Sequence, residues 1–255
     1  MAPTRLYYAD KALSAAFYDT VTAADARLQG DLDIYAGLAP AGGTILELGV
    51  GTGRLAFALA EQGFSVTGVD IAPAMLAQAS ARQAELAPAV GRRVGLKRAD
   101  MTALDLKRTF DLVICPYFTL AHVPRGMAWK NTFATAARHL KSGGLAAFHL
   151  PLLEIMRMPG PADPEQPVLD QPAPSGGRLR LYVRERTFRE DVGRLDQVIE
   201  YVEMDARGEV LRRSSERLTY YHAEPAPLAA PEGLTPDRAP IPLGGVGEIH
   251  VFIKI

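Results

Sequence analysis

What the chain lacks narrows it before any motif is read. It holds one cysteine in 255 residues, Cys115, set inside an apolar run. A disulfide framework is thereby excluded, and a lone thiol suits a reducing compartment. Without a cysteine–histidine cluster, no structural zinc is expected and no metal is assigned. No apolar stretch reaches the roughly 18 residues needed to cross a bilayer. The opening residues, MAPTRLYYADKALSAAFYD, hold no apolar core like that of a secretory signal. Neither sign of charge is in excess: 28 Lys and Arg stand against 29 Asp and Glu, net -1. That argues against a nucleic-acid partner. Internal repeats are also missing. The expectation is a cytoplasmic globular protein with no membrane and no nucleic-acid partner. Hydrophobic residues make up 48% of the chain, enough to bury a sizeable core.

The first 40 residues read as helical, with Leu28, Leu32 and Tyr35 on one stripe. Pro40 and Gly42-Gly43 break the chain. From 44 to 150 strands and helices alternate. TILELGV, SVTGVD, RVGLKRAD, FDLVICP and LAAFHL read as five strands. RLAFALAEQ, closed by Gly63, and PAMLAQASARQAELA, opened by Pro73, read as helices. A third helix opens at Pro124, carries Trp129, Phe133, Ala137 and Leu140 on one stripe, and ends at Gly143-Gly144. Alternation with apolar strands predicts a doubly wound α/β fold on a mostly parallel sheet. Six prolines between 159 and 174 predict a loop or lid. RLRLYVRERTFR, RLDQVIEYVEM and RSSERLTYYH then read as an antiparallel meander, and EIHVFIKI as a closing strand. Four segments follow: an N-terminal helical lid at 1–43, a core at 44–150, an antiparallel cap at 151–224, and a proline-rich loop with the closing strand at 225–255.

Residues 45–70 place glycines at 49, 51 and 53, a carboxylate at Glu47 before them, and Asp70 at the end of the next strand. Glycines there let the backbone approach a ligand at a helix N-terminus. The dinucleotide pattern is G-x-G-x-x-G, and Arg54 stands where its last glycine belongs. Glu47 would repel a pyrophosphate but suits a positive group. Asp70 is placed to accept both ribose hydroxyls, and Asp100 to accept from an adenine amine. These residues describe a ligand with ribose, adenine and a cationic tail, and no pyrophosphate; S-adenosylmethionine (SAM) is such a ligand. A turn with no ligand leaves these three carboxylates unexplained.

On these residues the chain resembles the class I SAM-dependent methyltransferases. ELGVGTGR looks like their first motif, Asp70-Ile71 like the second-strand acid and its apolar neighbour, RADM like the adenine-amine motif, FDLVICP like the fourth-strand motif, and LKSGGLAAFHL like the segment leading into strand five. The resemblance covers about residues 7–150 and implies a Rossmann-like sheet, seven-stranded or reduced, with SAM as cofactor and S-adenosylhomocysteine (SAH) as product. It implies that Glu47, Gly49, Gly51, Gly53 and Arg54 form the loop around the methionine part. Asp70 would hold the ribose, with Ile71 and Met75 against the adenine. Asp100 and the Met101 N–H would read the adenine edge, and the Cys115 carbonyl would accept from the ammonium. It also implies a closing helix and a penultimate strand after the cap. Residues 223–242, AEPAPLAAPEGLTPDRAPIP, show no amphipathic helix, so that region is expected to be missing or remodelled.

The acceptor is less legible. Within the family, the order YD…CxxxxxxH resembles small-molecule N-methyltransferases, of the amino-sugar and glycine types. The resemblance implies that Tyr18 and His122 face the transferring methyl. Tyr7 and Tyr8 are weaker lid candidates; Tyr117, Phe118 and His149 are candidates to line the acceptor pocket beneath a roof made by the cap. His139, His222 and His250 read as structural. Arg178, Arg180, Arg184 and Arg186 fall on one face of their run. Pairing with Asp196, Glu200 and Glu203 explains them better than an acidic acceptor does, and the mix equally suits a homodimer interface. The expectation is methyl transfer to a small-molecule amine. An oxygen acceptor is the alternative, and a non-catalytic SAM- or SAH-binding protein is the alternative of another class.

Overall fold

The central strands Thr44–Leu48 and Phe110–Cys115 carry almost continuous apolar sequence and bury both faces. The computed structural model describes residues 4–9 and 11–255. The chain forms two units, one of Ala26–Leu152 with His222–Ile255, the other of Met1–Asp25 with Leu153–Tyr221. Residues 26–43, read from sequence with the N-terminal segment, therefore fold with the core. The reason is packing: the helix Asp31–Leu38 buries Tyr35 and Leu38 in the cluster around Ile45. That helix begins after Gly30, whose φ is 91°, so the longer helical stripe is interrupted there. The Leu28 side chain of that stripe lies outside the described residues.

In the core unit the sheet runs Val94–Arg98, Ser65–Asp70, Thr44–Leu48, Phe110–Cys115, Leu140–Pro151, Gly247–Lys254, Leu234–Pro236. The first five are parallel and the closing strand Gly247–Lys254 is antiparallel to its neighbours. Successive residues of Thr44–Leu48 face opposite sides: Ile45 joins one core cluster and Leu46 the other. One cluster packs under Arg54–Glu61, whose Leu55, Phe57 and Leu59 are buried. The other holds Trp129, Phe133 and Phe148, with the Phe133 and Phe148 rings edge-on at 4.7 Å. This is the doubly wound, Rossmann-like α/β architecture read from the sequence.

Several boundaries differ. The helix expected from Pro124 starts at Met127, because Gly126 at φ 94° breaks the entry. It stops at His139, and Leu140 already pairs with Phe110; Gly143-Gly144 sit in an irregularity of that strand rather than at the helix end. The proline-rich 225–242 stretch is short structure rather than loop. One helical turn, Ala226–Ala229, leads to Leu234–Pro236, and Ile241–Leu243 adds another pairing on the closing strand. The penultimate strand is thus present, cut to three residues, with Pro236 as its last. Prolines tolerate such edge strands but not a long helix.

The second unit is the expected meander of Arg178–Arg189, Arg194–Met204 and Val210–Tyr221. Two further strands were not foreseen. Leu169–Pro172, inside the proline-rich segment, pairs with Arg178–Arg189, and Arg5–Leu6 pairs parallel with Val210–Tyr221. Leu13, Phe17, Leu179, Tyr201 and Leu218 form its core. The four arginines do not share one face. A bulge between Val183 and Glu185 inserts an extra residue, so the alternation reverses and Arg186 comes opposite Gln197, whose side chain is buried. Arg178 and Arg180 bond Asp170, Arg184 bonds Glu200, and Arg186 donates to the carbonyls of Ile155 and Met158. Of the acids expected to pair with these arginines, only Glu200 does so: Glu203 pairs across the sheet with Arg212, and Asp196 with Arg194 of its own strand and Arg189 of the neighbouring one. Among the described residues no helix is long and apolar enough to cross a membrane.

Candidate functional site

The strand Thr44–Leu48 runs straight into the glycine turn. The Gly49 and Val50 N–H groups both donate to the Val69 carbonyl, at 2.8 and 2.9 Å, which folds the chain back over its neighbour. Gly49, Gly51 and Gly53 have φ of 79°, 55° and 83°. At Gly49 space adds to the conformational demand: a Cβ would lie 2.2 Å from the Thr119 methyl. Part of the glycine requirement is therefore set by the protein's own packing, which the sequence reading attributed to a ligand alone.

Asp70 closes the turn from the next strand. Its carboxylate accepts from the Gly51 N–H at 2.9 Å and the Ala72 N–H at 2.8 Å. Burial raises its pKa, and those backbone donors oppose the rise. Beside it, Ile71 leaves 62% of its surface exposed, whereas Met75 is buried at 2%.

Glu47 is the least comfortable group in the core. It sits mid-sheet between Gly68 and Ile114, 2% exposed. Its Oε2 has no hydrogen-bond partner. Burial pushes its pKa up to about 8; Arg54 opposes, while Asp31 and Asp70 add to the rise. Arg54 makes a two-pronged ion pair with the buried Asp31. The Tyr35 hydroxyl is also buried without a partner, and burial holds its phenol well above the usual range. Asp31 and Tyr35 were not among the sequence candidates. Tyr35 carried only an apolar-stripe signal, and nothing local marks Asp31.

At the third strand's end, exposed Asp100 accepts from the N–H and hydroxyl of Thr102, both at 2.8 Å, so its own turn engages it. Met101 follows, half-buried against the core. Cys115 ends the fourth strand fully buried, its thiol pushed up by burial and thus uncharged at neutral pH. Beyond it the chain strains. Tyr117 and Phe118 both take left-handed backbone, at φ 48° and 60°, with their rings stacked 5.9 Å apart. Such outliers persist only where surroundings enforce them, and they concentrate at functional sites. Phe118 lies 4.4 Å from the His149 ring. Gly247 makes room for both: a Cβ there would fall 2.4 Å from Phe118 and 2.6 Å from His149 Nε2. That Nε2 is buried with no partner. The short turn Thr119–His122 then carries His122. Burial lowers the pKa of both histidines to about 4, with the positive Arg54 and His250 adding to the effect at His149. Both rings are neutral at pH 7.

Tyr18 belongs to the other unit. Its ring stands edge-on to Tyr8 at 5.7 Å, and Tyr8 lies 4.4 Å from Tyr7, whose hydroxyl bonds that of Tyr201 at 2.7 Å. Burial pushes the Tyr7 phenol up to about 12. His139 is structural: Nδ1 donates to the Thr135 carbonyl at 2.7 Å and Nε2 accepts from the Leu106 N–H at 2.9 Å. A depression of about 330 Å³ beside it, lined by Asp105, Lys107, Arg108, Thr109, Arg138 and His139, lies at the amino ends of the strands. In open α/β sheets, ligands bind at the other end.

Residues 45–144 match the family model described as a methyltransferase domain. A putative methyltransferase of Geobacillus sp. (strain WCH70) is 36% identical over 104 residues, 41% of this chain and 40% of that protein. The ubiquinone biosynthesis O-methyltransferase of Pseudomonas paraeruginosa (strain PA7) is 42% identical over 93 residues, 36% of this chain and 38% of that protein. The chain thus spans about two fifths of the length of the curated relatives it matches. Among solved structures, SAM-bound CalS10, an amino pentose methyltransferase of Micromonospora echinaspora, superposes with a TM-score of 0.72 at 22% identity, over 95% of this chain and 96% of that one. At that identity the likeness speaks for the fold.

Proposed function

We propose, from the premise that residues 45–144 are a methyltransferase domain, that this protein moves the methyl group of SAM to a small-molecule amine. The observation that carries the cofactor is the buried Glu47 Oε2 without a partner. A buried carboxylate oxygen left unpaired is costly, and a cationic ligand group removes the cost. SAM brings an ammonium on its methionine end. The Cys115 carbonyl is the second acceptor for it, and Gly49, Gly51 and Gly53 give the backbone room beside it. Asp70 takes the ribose hydroxyls, exposed Ile71 covers the adenine above Met75, and Asp100 with the Met101 N–H reads its edge. Arg54 holds the loop's helix to Asp31. When bound, SAM supplies an electrophilic methyl on sulfur, which leaves the protein to orient the acceptor and keep water out.

His122, neutral at pH 7, serves to accept a proton or hydrogen bond from the acceptor amine. Tyr117, Phe118 and His149 line the acceptor side, and Tyr18 is tested on its own by Tyr18→Phe. An oxygen acceptor is the second reading, supported by the similarity to an O-methyltransferase. The experiment is SAH production from SAM with a panel of amino sugars and simple amines beside catechols and phenols. Turnover with an amine is expected, lost in His122→Ala. Turnover with hydroxyl acceptors alone contradicts the amine assignment. Tight SAM binding without turnover on any acceptor favours a non-catalytic binder.

A further inference from the structure

The charges around Glu47 do not balance, and the imbalance has a consequence for binding. Groups on four elements interact electrostatically with Glu47. The helix Asp31–Leu38 brings Asp31 and Tyr35, the helix Arg54–Glu61 brings Arg54, the strand Ser65–Asp70 brings Asp70, and Phe110–Cys115 brings Cys115. Arg54, the cation among them, gives Asp31 two hydrogen bonds and acts on Glu47 through its charge. Asp70 has the Gly51 and Ala72 N–H groups. Tyr35 and Cys115 hold their protons. Glu47, 2% exposed, keeps an oxygen with no hydrogen-bond partner. An ionised carboxylate in that setting is disfavoured, and a neutral carboxylic acid is its resting form.

We propose that entry of a cationic ligand group at the glycine turn drives a proton off Glu47 into solvent, so that cofactor binding by this chain is coupled to proton release. This rests on the reading that SAM is the cofactor. The balance is simple: the O–H bond of the Glu47 carboxyl breaks, the proton passes to buffer, and the carboxylate pairs with the incoming ammonium. No other bond changes. The raised pKa of about 8 for Glu47 agrees with a protonated resting state at neutral pH. The same linkage makes binding favour higher pH, since the bound state holds fewer protons.

The test is calorimetric titration with SAH, which carries the ammonium but no methyl to transfer. It is run at several pH values in phosphate and in Tris, whose ionisation heats differ. SAH affinity is expected to weaken by roughly tenfold per pH unit as pH falls from about 7 to about 6. The binding heat should differ between buffers by an amount that reports proton release. Glu47→Gln should lose both the pH slope and the buffer dependence while melting no lower than the parent. 5′-Methylthioadenosine, which has the adenosine but no ammonium, should bind without a pH slope in the parent protein. SAH binding that is flat from about pH 6 to 7, or a slope that survives Glu47→Gln or appears equally with 5′-methylthioadenosine, overturns the proton coupling and leaves the cofactor assignment standing. Absence of SAH binding at every pH overturns both.

Discussion

The antiparallel unit and the glycine turn of the core treat buried charge in opposite ways. In the antiparallel unit, Glu203 at 3% exposure is paired with Arg212, and Glu200 is held by Arg184 and Arg213. Glu216, fully buried, accepts from the N–H groups of Leu13 and Ser14. In the core, Glu47 and His149 are as deeply buried, and each keeps an unpartnered atom. Where charge serves the fold, the chain pairs it. At Glu47 and His149 the chain leaves a buried polar atom open and bears the cost.

Substitutions that strike each region separately would break or sharpen this contrast. The largest effect is expected from Asp70→Ala, which removes both the proposed ribose acceptor and the anchor of Gly51. SAH affinity should fall by roughly a hundredfold or more, since charge-assisted hydrogen bonds are involved. Calorimetry checks it, and a change within a few fold would detach Asp70 from the ligand. Glu216→Ala strips two N–H groups of their buried acceptor. It should lower stability by about 2 kcal/mol, read from denaturant melts.

Smaller effects follow from pH, and all five histidines lie in the core unit. His149 has its folded pKa lowered to about 4, so its contribution is present above the unfolded value and lost as pH falls through about 6.5 towards 4. Glu47, with its pKa raised to about 8, has the opposite sign: its contribution is largest below its unfolded pKa and is lost as pH rises towards 8. Between about pH 7 and pH 5, His149→Gln should lose less stability than the parent, by up to about 2 kcal/mol. Glu47→Gln should lose more than the parent over the same interval. Chemical melts at the two pH values decide both signs. Least of all, Arg157→Ala should leave the melting temperature unchanged, because its pair with Glu190 is exposed on both sides.

Much of this was legible in the sequence because its signals are local. Five apolar strands, the glycine spacing, and Glu47 and Asp70 at strand positions all follow from short-range pattern, and the meander follows from alternation. What escaped depends on contacts between distant residues. The bulge at Arg184 turns Arg186 to the other face, and no residue type announces it. Leu169–Pro172 becomes a strand because a long neighbour offers it a ladder, against its own proline content. Asp31 and Tyr35 join the site only when their helix folds back beneath the glycine turn. Around the left-handed pair Tyr117-Phe118, the Phe118 ring packs on His149 in the space that Gly247 leaves open.

The central claim is that Glu47 is left unpaired for the cationic end of a SAM-like ligand. A crystal structure of the protein with SAH tests it most directly. The account predicts the SAH ammonium about 3 Å from a Glu47 oxygen, or joined to it through one ordered water, with the ribose hydroxyls on Asp70. An SAH molecule bound with its ammonium elsewhere and Glu47 still unpartnered would contradict it.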